Sequence, residues 1–140
     1  MNDLFFMRKA LAEAQKAFEK EEAPIGAIAV HEGKIIARAH NLREKKNDPL
    51  GHAEIILMRK ISQKFKNWRL LGITVYVTLE PCPMCMGALM QARVKRLVFG
   101  AMNPKVNVCG SLEITHGLLE KESAALLKKF FAVLRKKGKK

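Results

Sequence analysis

Apolar residues recur along this chain at two different periods, and the switches between them mark out its elements. Leu4, Met7, Leu11, Ala14 and Phe18 fall at helical spacing behind Asn2, a residue suited to capping a first turn. They predict an amphipathic helix from about Asp3 to Lys20 whose apolar stripe faces a sheet. Ile25 to Val30 and Ile35 to Ala39 are short β-prone runs, and His31-Glu32-Gly33-Lys34 between them reads as a hairpin turn. Asn41 to Pro49 reads as a polar loop. Helical spacing returns from His52 to about Lys64, and Ile73 to Leu79 is the strongest strand in the chain. Pro83 suits the first turn of a helix running to about Ala92, Arg96 to Phe99 makes another strand, and Glu120 to Lys137 forms a closing helix. Helices alternating with strands over short connections predict an α/β domain, its sheet covered by helices on both faces. The order of the strands is not readable at this level.

The chain has 140 residues, 49% of them hydrophobic, which suits one domain with a real core and is too short for two. No apolar run approaches the length needed to span a bilayer, and the first residues carry no signal-peptide pattern. The expected location is the cytoplasm. Three cysteines, two of them in a C-x-x-C, fit thiols that bind metal in a reducing compartment better than they fit a disulfide scaffold. Cys109 is the odd one out and reads as a small, partly buried residue.

His52-Ala53-Glu54 and Pro81-Cys82-Pro83-Met84-Cys85 carry the chemistry. H-x-E combined with P-C-x-x-C is the signature of zinc nucleobase deaminases, in which the glutamate is not a ligand. Catalytic zinc needs three protein ligands and an open position, and His52, Cys82 and Cys85 supply that count. Glu54 is left free to move protons: from water to the ring nitrogen of an amidine-like base, and then to departing ammonia. If both motifs open helices, two helix N-termini favour negative charge at the metal. A structural zinc site uses four protein ligands. His31, His40, His116 and Cys109 could in principle supply a fourth, but none stands at finger spacing, and such a site gives Glu54 no task. Met84, Met86 and Met90 read as core packing, and His31 and His116 as ordinary surface or loop histidines.

Lys and Arg number 26 against 13 Asp and Glu, a net charge of +13 that attracts polyanions. Spending charge on solubility is the bland alternative. Position favours nucleic acid, because Lys128, Lys129, Arg135, Lys136 and Lys137 crowd the final helix beside Phe130 and Phe131, a mixture suited to phosphate contact with base stacking. One of the two phenylalanines is expected to be buried.

With Pro24-Ile25-Gly26-Ala27, Asn41, Asp48-Pro49-x-Gly-His52-Ala-Glu54, Thr78-Leu79-Glu80-Pro81-Cys82-x-x-Cys85 and Gly110-Ser111 in order, and Ala124-Ala125-Leu126-Leu127 before the phenylalanine pair, the chain resembles the bacterial tRNA-specific adenosine deaminases. These belong to the cytidine deaminase-like superfamily, and the resemblance runs over nearly the whole length. It implies a three-layer α/β/α sandwich with a central, mostly five-stranded sheet, one Zn2+ per subunit and a homodimer. The implied reaction is conversion of the wobble adenosine of a tRNA anticodon to inosine. Asn41 would hydrogen-bond the flipped base, the backbone near Ala53 and the Pro81-Cys82 turn would hold the attacking oxygen, and Phe130, Phe131 and Arg135 would lie near the anticodon stem-loop. Small-molecule deaminases acting on guanine, cytosine or a nucleoside, and a non-catalytic RNA-binding zinc domain, are the competing readings.

The chain departs from the family pattern at three places. Asn103 stands where family members usually carry aspartate beside the substrate, Val106-Asn107-Val108-Cys109 is bulkier than usual, and the loop between Ser111 and Glu113 is shortened. A neutral amide at Asn103 would lessen repulsion toward phosphate and weaken selection for a ribose 2′-hydroxyl, which leaves room for tolerance of single-stranded DNA.

Overall fold

A computed structural model describes residues 2–102 and 112–137. Its elements in chain order are α1 (Asp3–Glu19), β1 (Gly26–His31), β2 (Lys34–His40), α2 (Arg43–Lys46), α3 (Ala53–Phe65), β3 (Ile73–Leu79), α4 (Pro83–Gln91), β4 (Arg96–Ala101), β5 (Glu113–Thr115) and α5 (Glu120–Lys136). The strands form one sheet in the order β2-β1-β3-β4-β5. The pairings β1–β2 and β1–β3 are antiparallel, whereas β3–β4 and β4–β5 are parallel. Helices α3 and α4 cover one face, and α1 and α5 the other. This is the expected three-layer sandwich with five strands. Among the described residues, no helix is long and apolar enough to cross a membrane.

Period-two alternation builds both cores at once. Ala27, Ala29, Ile73, Val75, Val77, Leu97 and Phe99 pack beneath α3 and α4, while Ile28, Val30, Tyr76 and Val98 pack beneath α1. The hairpin turn forms as the sequence predicts, with Glu32 and Gly33 both at positive φ, the conformation that matches the twist of paired strands.

Helix α1 begins at the expected cap, where the Asn2 side chain accepts a hydrogen bond from the Phe5 backbone N–H at 3.0 Å. Its buried face shares Met7 and Ala14 with the predicted stripe but is rotated away from the rest of it. Phe6, Met7, Ala10, Glu13, Ala14 and Ala17 turn inward, while Leu4 is exposed and Leu11 and Phe18 are only partly covered. The reason is Gly26: a Cβ there would lie 2.2 Å from the Ala10 carbonyl oxygen and 2.3 Å from the Ala14 nitrogen. With only hydrogen at that point, the helix backbone sits directly on β1, and alanines, not leucines, fit the gap.

Two further elements escaped the sequence pattern. Edge strand β5 is three residues long, too short for a period to register. The predicted loop from Asn41 to Pro49 contains the helical turn α2. It forms because the Glu22 carboxylate, about twenty residues upstream, accepts hydrogen bonds from the Glu44 and Lys45 backbone N–H groups.

Candidate active site

The sheet topology fixes where the chemistry lies. Because β1 is antiparallel to both β2 and β3, those two strands run the same way, and β4 runs with them. Three strands therefore deliver the chain to one end of the sheet. β2 leads through Asn41 toward His52, β3 leads through Pro81 to Cys82, and β4 ends at Ala101 on the same side.

His52 and Cys82 are the N-cap residues of α3 and α4, with extended backbones, and neither side chain caps its own helix. Both are thus free to turn toward each other. Cys85 stands one turn into α4 and Glu54 two residues after His52 on α3. His52 Nδ1 lies 3.7 Å from Cys82 Sγ and 3.5 Å from Cys85 Sγ, and the three donor atoms fall within 4.8 Å of one another. Tetrahedral zinc with ordinary Zn–S and Zn–N bonds places its nitrogen and sulfur ligands about 3.6 Å apart, so the cluster has the dimensions of such a site.

The electrostatics point the same way. Burial, aided by Arg43 and opposed by Asp48, lowers the His52 pKa and keeps the imidazole in its neutral, ligating form. Burial, with the charges of Glu54 and Cys82 beside it, pushes the Cys85 thiol far above its ordinary value. A thiolate there needs a cation next to it, and a divalent metal meets that need. Glu54 is almost completely buried, and this burial pushes its carboxyl up to about 7 against the opposing hydrogen bonds of its own backbone N–H and Cys85. A carboxyl in that range both takes and gives a proton near neutral pH.

A family model of MafB19-like deaminases matches residues 1–135. A tRNA-specific adenosine deaminase of Bacillus subtilis is 46% identical over 98% of this chain and 93% of its own length. The chain is a member of the tRNA-specific adenosine deaminase family. A chloroplastic tRNA(adenine(34)) deaminase of Arabidopsis thaliana is 54% identical over 78% of this chain, a stretch that makes up 8% of that larger protein. Among solved structures, one from work on A-to-I editing by tRNA:A34 deaminases superposes with a TM-score of 0.84 at 40% identity, covering 88% of this chain and 99% of that one. A guanine deaminase from Nitrosomonas europaea reaches a TM-score of 0.86 at 21% identity and so shares the fold alone.

The remaining residues that the family pattern singles out occupy distinct surroundings. Asn41 is buried, and its Oδ1 accepts the Ala53 backbone N–H at 2.9 Å. That bond spends one end of the amide on the first residue of α3 and commits the Ala53 N–H. Pro81 is buried at the turn into α4. Phe130 is buried and packs edge-on against Phe18 and Phe131, whereas Phe131 is 48% exposed. One of the two rings is buried, as expected. Phe131 and Arg135 line a cavity of about 710 Å3 with Lys128, and Phe131 also borders a second cavity, of about 530 Å3, that contains Asn41. Asn103, the Val106–Cys109 stretch and the shortened loop at Ser111 lie outside the described residues.

Other sequence readings need revision. Met86 is buried, as expected of core packing, but Met84 is 38% exposed on the outer side of α4. His116 stacks on Phe99, and His31 packs against Phe65 with its Nδ1 buried and unpartnered, so His31 is more than a surface residue. His40 joins Glu13 at 3.1 Å and Lys20 at 3.0 Å, next to Asn41. Burial works to raise the Glu13 carboxyl, but hydrogen bonds from Lys16 and His40 outweigh it and hold its pKa below the ordinary value. Neither Glu13 nor Glu22 carries a sequence signal, since nothing local separates Glu22, 1% exposed, from Glu21 beside it, which faces solvent.

Proposed function

We propose that residues 1–140 form a single zinc-dependent domain that hydrolyses the wobble adenosine of a tRNA anticodon to inosine, releasing ammonia. The observation that carries the reading is a buried carboxyl at Glu54, its pKa pushed up to about 7, beside a His52, Cys82 and Cys85 cluster of metal-site dimensions. Family membership supplies the substrate class, because the relatives are tRNA-specific adenosine deaminases.

His52 Nδ1, Cys82 Sγ and Cys85 Sγ would hold the ion, and Zn2+ bound there would supply Lewis acidity toward water at neutral pH. Glu54 takes the proton of the attacking water and passes it to N1 of the adenine ring. It then delivers the second proton to the exocyclic nitrogen, so that the C6–N6 bond breaks and ammonia leaves as C6 gains oxygen. The Asn41 amide, fixed at one end by Ala53, orients the flipped base with its other end. Ala53 and Pro81 shape the backbone around the reacting carbon. Phe131 stacks on an anticodon-loop base, supported from beneath by Phe130, while Arg135 and Lys128 meet phosphate. The enzyme works in the cytoplasm as a homodimer, and sedimentation of the purified protein tests the oligomeric state.

The deciding experiment incubates the protein with an arginine tRNA anticodon stem-loop bearing a wobble adenosine, alongside free guanine, cytosine, adenosine and cytidine, and quantifies inosine and ammonia. Inosine at the wobble position alone is expected. Ammonia from a free base with an untouched stem-loop overturns the reading in favour of a small-molecule deaminase. Glu54→Ala should abolish turnover while bound zinc, measured by elemental analysis, stays near one per chain; undiminished turnover removes Glu54 as the proton carrier.

A further inference from the structure

The segment from Leu42 to Gly51 closes on itself. Leu42 N–H donates to Gly51 O at 2.9 Å, Asp48 N–H to Arg43 O at 3.0 Å and Gly51 N–H to Asp48 O at 3.0 Å. It leads directly into His52, and its helical turn α2 presents Arg43, Glu44 and Lys45, all exposed, to the 530 Å3 cavity that Asn41 and Phe131 also line. Glu22 grips this unit from outside: Oε1 accepts from Glu44 N–H at 3.1 Å and Oε2 from Lys45 N–H at 2.7 Å. The carboxylate is 1% exposed, so two backbone donors replace its water shell. A buried charge held this way fixes the rotation of α2 and hence where the Arg43 and Lys45 side chains leave the backbone.

We propose that Glu22 is a positioning residue for RNA, acting through Arg43 and Lys45 to hold two cations at the rim of the substrate cavity. The proposal rests on the deaminase reading above. It differs in sign from simple electrostatics. Glu22 is itself an anion beside a cavity that takes a polyanion, so neutralising it should strengthen RNA binding if charge alone mattered. If position matters, any change that releases α2 should weaken binding even when it removes a negative charge.

Two variants separate these cases. Glu22→Gln keeps the shape but turns an NH2 toward a backbone N–H, and Glu22→Asp keeps the charge but falls one methylene short of α2. Both should raise KM for the stem-loop roughly tenfold, the scale of losing one charge-assisted hydrogen bond, with kcat at saturation and zinc content nearly unchanged. Hydrogen exchange at the Glu44 and Lys45 amides should accelerate in both, a readout that holds whether or not the wild type deaminates RNA. Wild type without inosine product defeats the deaminase reading but leaves that amide measurement standing. A lower KM for Glu22→Gln, unaltered amide exchange, or a fall in kcat at constant KM, as a smaller folded fraction would give, each overturns the positioning role.

Discussion

Gly26→Ala is a one-methyl change with a cost that the structure sets. The new Cβ would stand 2.2 Å from Ala10 O, 2.3 Å from Ala14 N and 2.8 Å from Glu13 C, all backbone atoms of α1. No rotamer relieves a clash with backbone. Ordinary contact requires about 3.4 Å, so α1 must retreat by about 1 Å, on the side that carries Phe6, Met7, Ala10, Ala14 and Ala17 into the core. A 17-residue helix is about 25 Å long and about 10 Å wide, so a uniform 1 Å retreat opens about 250 Å3. At about 24 cal/mol per Å3 of cavity this costs about 6 kcal/mol, and about half of that if the helix pivots about its far end. Either figure is a large share of the 5 to 15 kcal/mol that holds a typical domain folded.

Urea unfolding followed by circular dichroism gives the free energy, and a thermal scan should show a melting point lower by roughly 10 to 20 °C. Gly87→Ala is the internal control, since nothing lies within 4 Å of its added Cβ and the site is inside α4. That change should be neutral or stabilise by up to about 1 kcal/mol through helix propensity. A Gly26→Ala protein melting within about 2 °C of wild type would refute the direct seating of α1 on β1.

Three further outcomes follow from particular contacts. Arg96 grips Asp3 through bonds of 2.9 and 2.7 Å, and Tyr76 donates its hydroxyl to the same carboxylate at 2.6 Å; the Arg96 hydrogen bond, opposed by desolvation, holds the Asp3 pKa below its ordinary value. A lowered folded pKa stabilises above the unfolded value near 4 and loses its effect as pH falls, so Asp3→Asn should cost about 1 to 2 kcal/mol at pH 7, a range set by partial exposure, and progressively less in acid; a pH-independent difference in urea titrations would contradict this. Phe131→Ala should weaken stem-loop binding by about 1 to 3 kcal/mol at nearly unchanged melting temperature, whereas Phe130→Ala should cost about 3 to 5 kcal/mol of folding stability; binding isotherms and melts showing the reverse assignment would exchange the two rings' roles. Asn41→Ala leaves the buried Ala53 N–H without its acceptor and should destabilise by about 1 to 3 kcal/mol while lowering kcat, and full activity at a lower melting temperature would confine Asn41 to holding α3.

The reach of the sequence follows the distance over which each feature is encoded. Asn2, the Glu32-Gly33 turn and Pro83 act within a few residues, and each does in the fold what its neighbours predict. Helix α1 shows the first failure: hydrophobicity ranks Leu4 and Leu11 above Ala10 and Ala14, but the choice of face is made by Gly26 on another element. Helix α2 shows the second, because its turn depends on a carboxylate about twenty residues away. The Asp3–Arg96 grip spans 93 positions and leaves no local trace at all.

The candidate site escapes that limit although His52 and Cys82 are 30 residues apart. Each half of it is local, being a helix N-cap followed within one turn by a second reactive side chain: Glu54 after His52, Cys85 after Cys82. What no local pattern contains is their meeting. That is supplied by topology, since β1, antiparallel to strands on both sides, makes β2 and β3 run the same way and release their chains at the same sheet end. Reversing either pairing would leave both motifs intact in sequence and place them at opposite ends of a strand roughly 20 Å long. The motif therefore names the chemistry, but the strand order β2-β1-β3 brings the donor atoms of its two halves within 4.8 Å of one another.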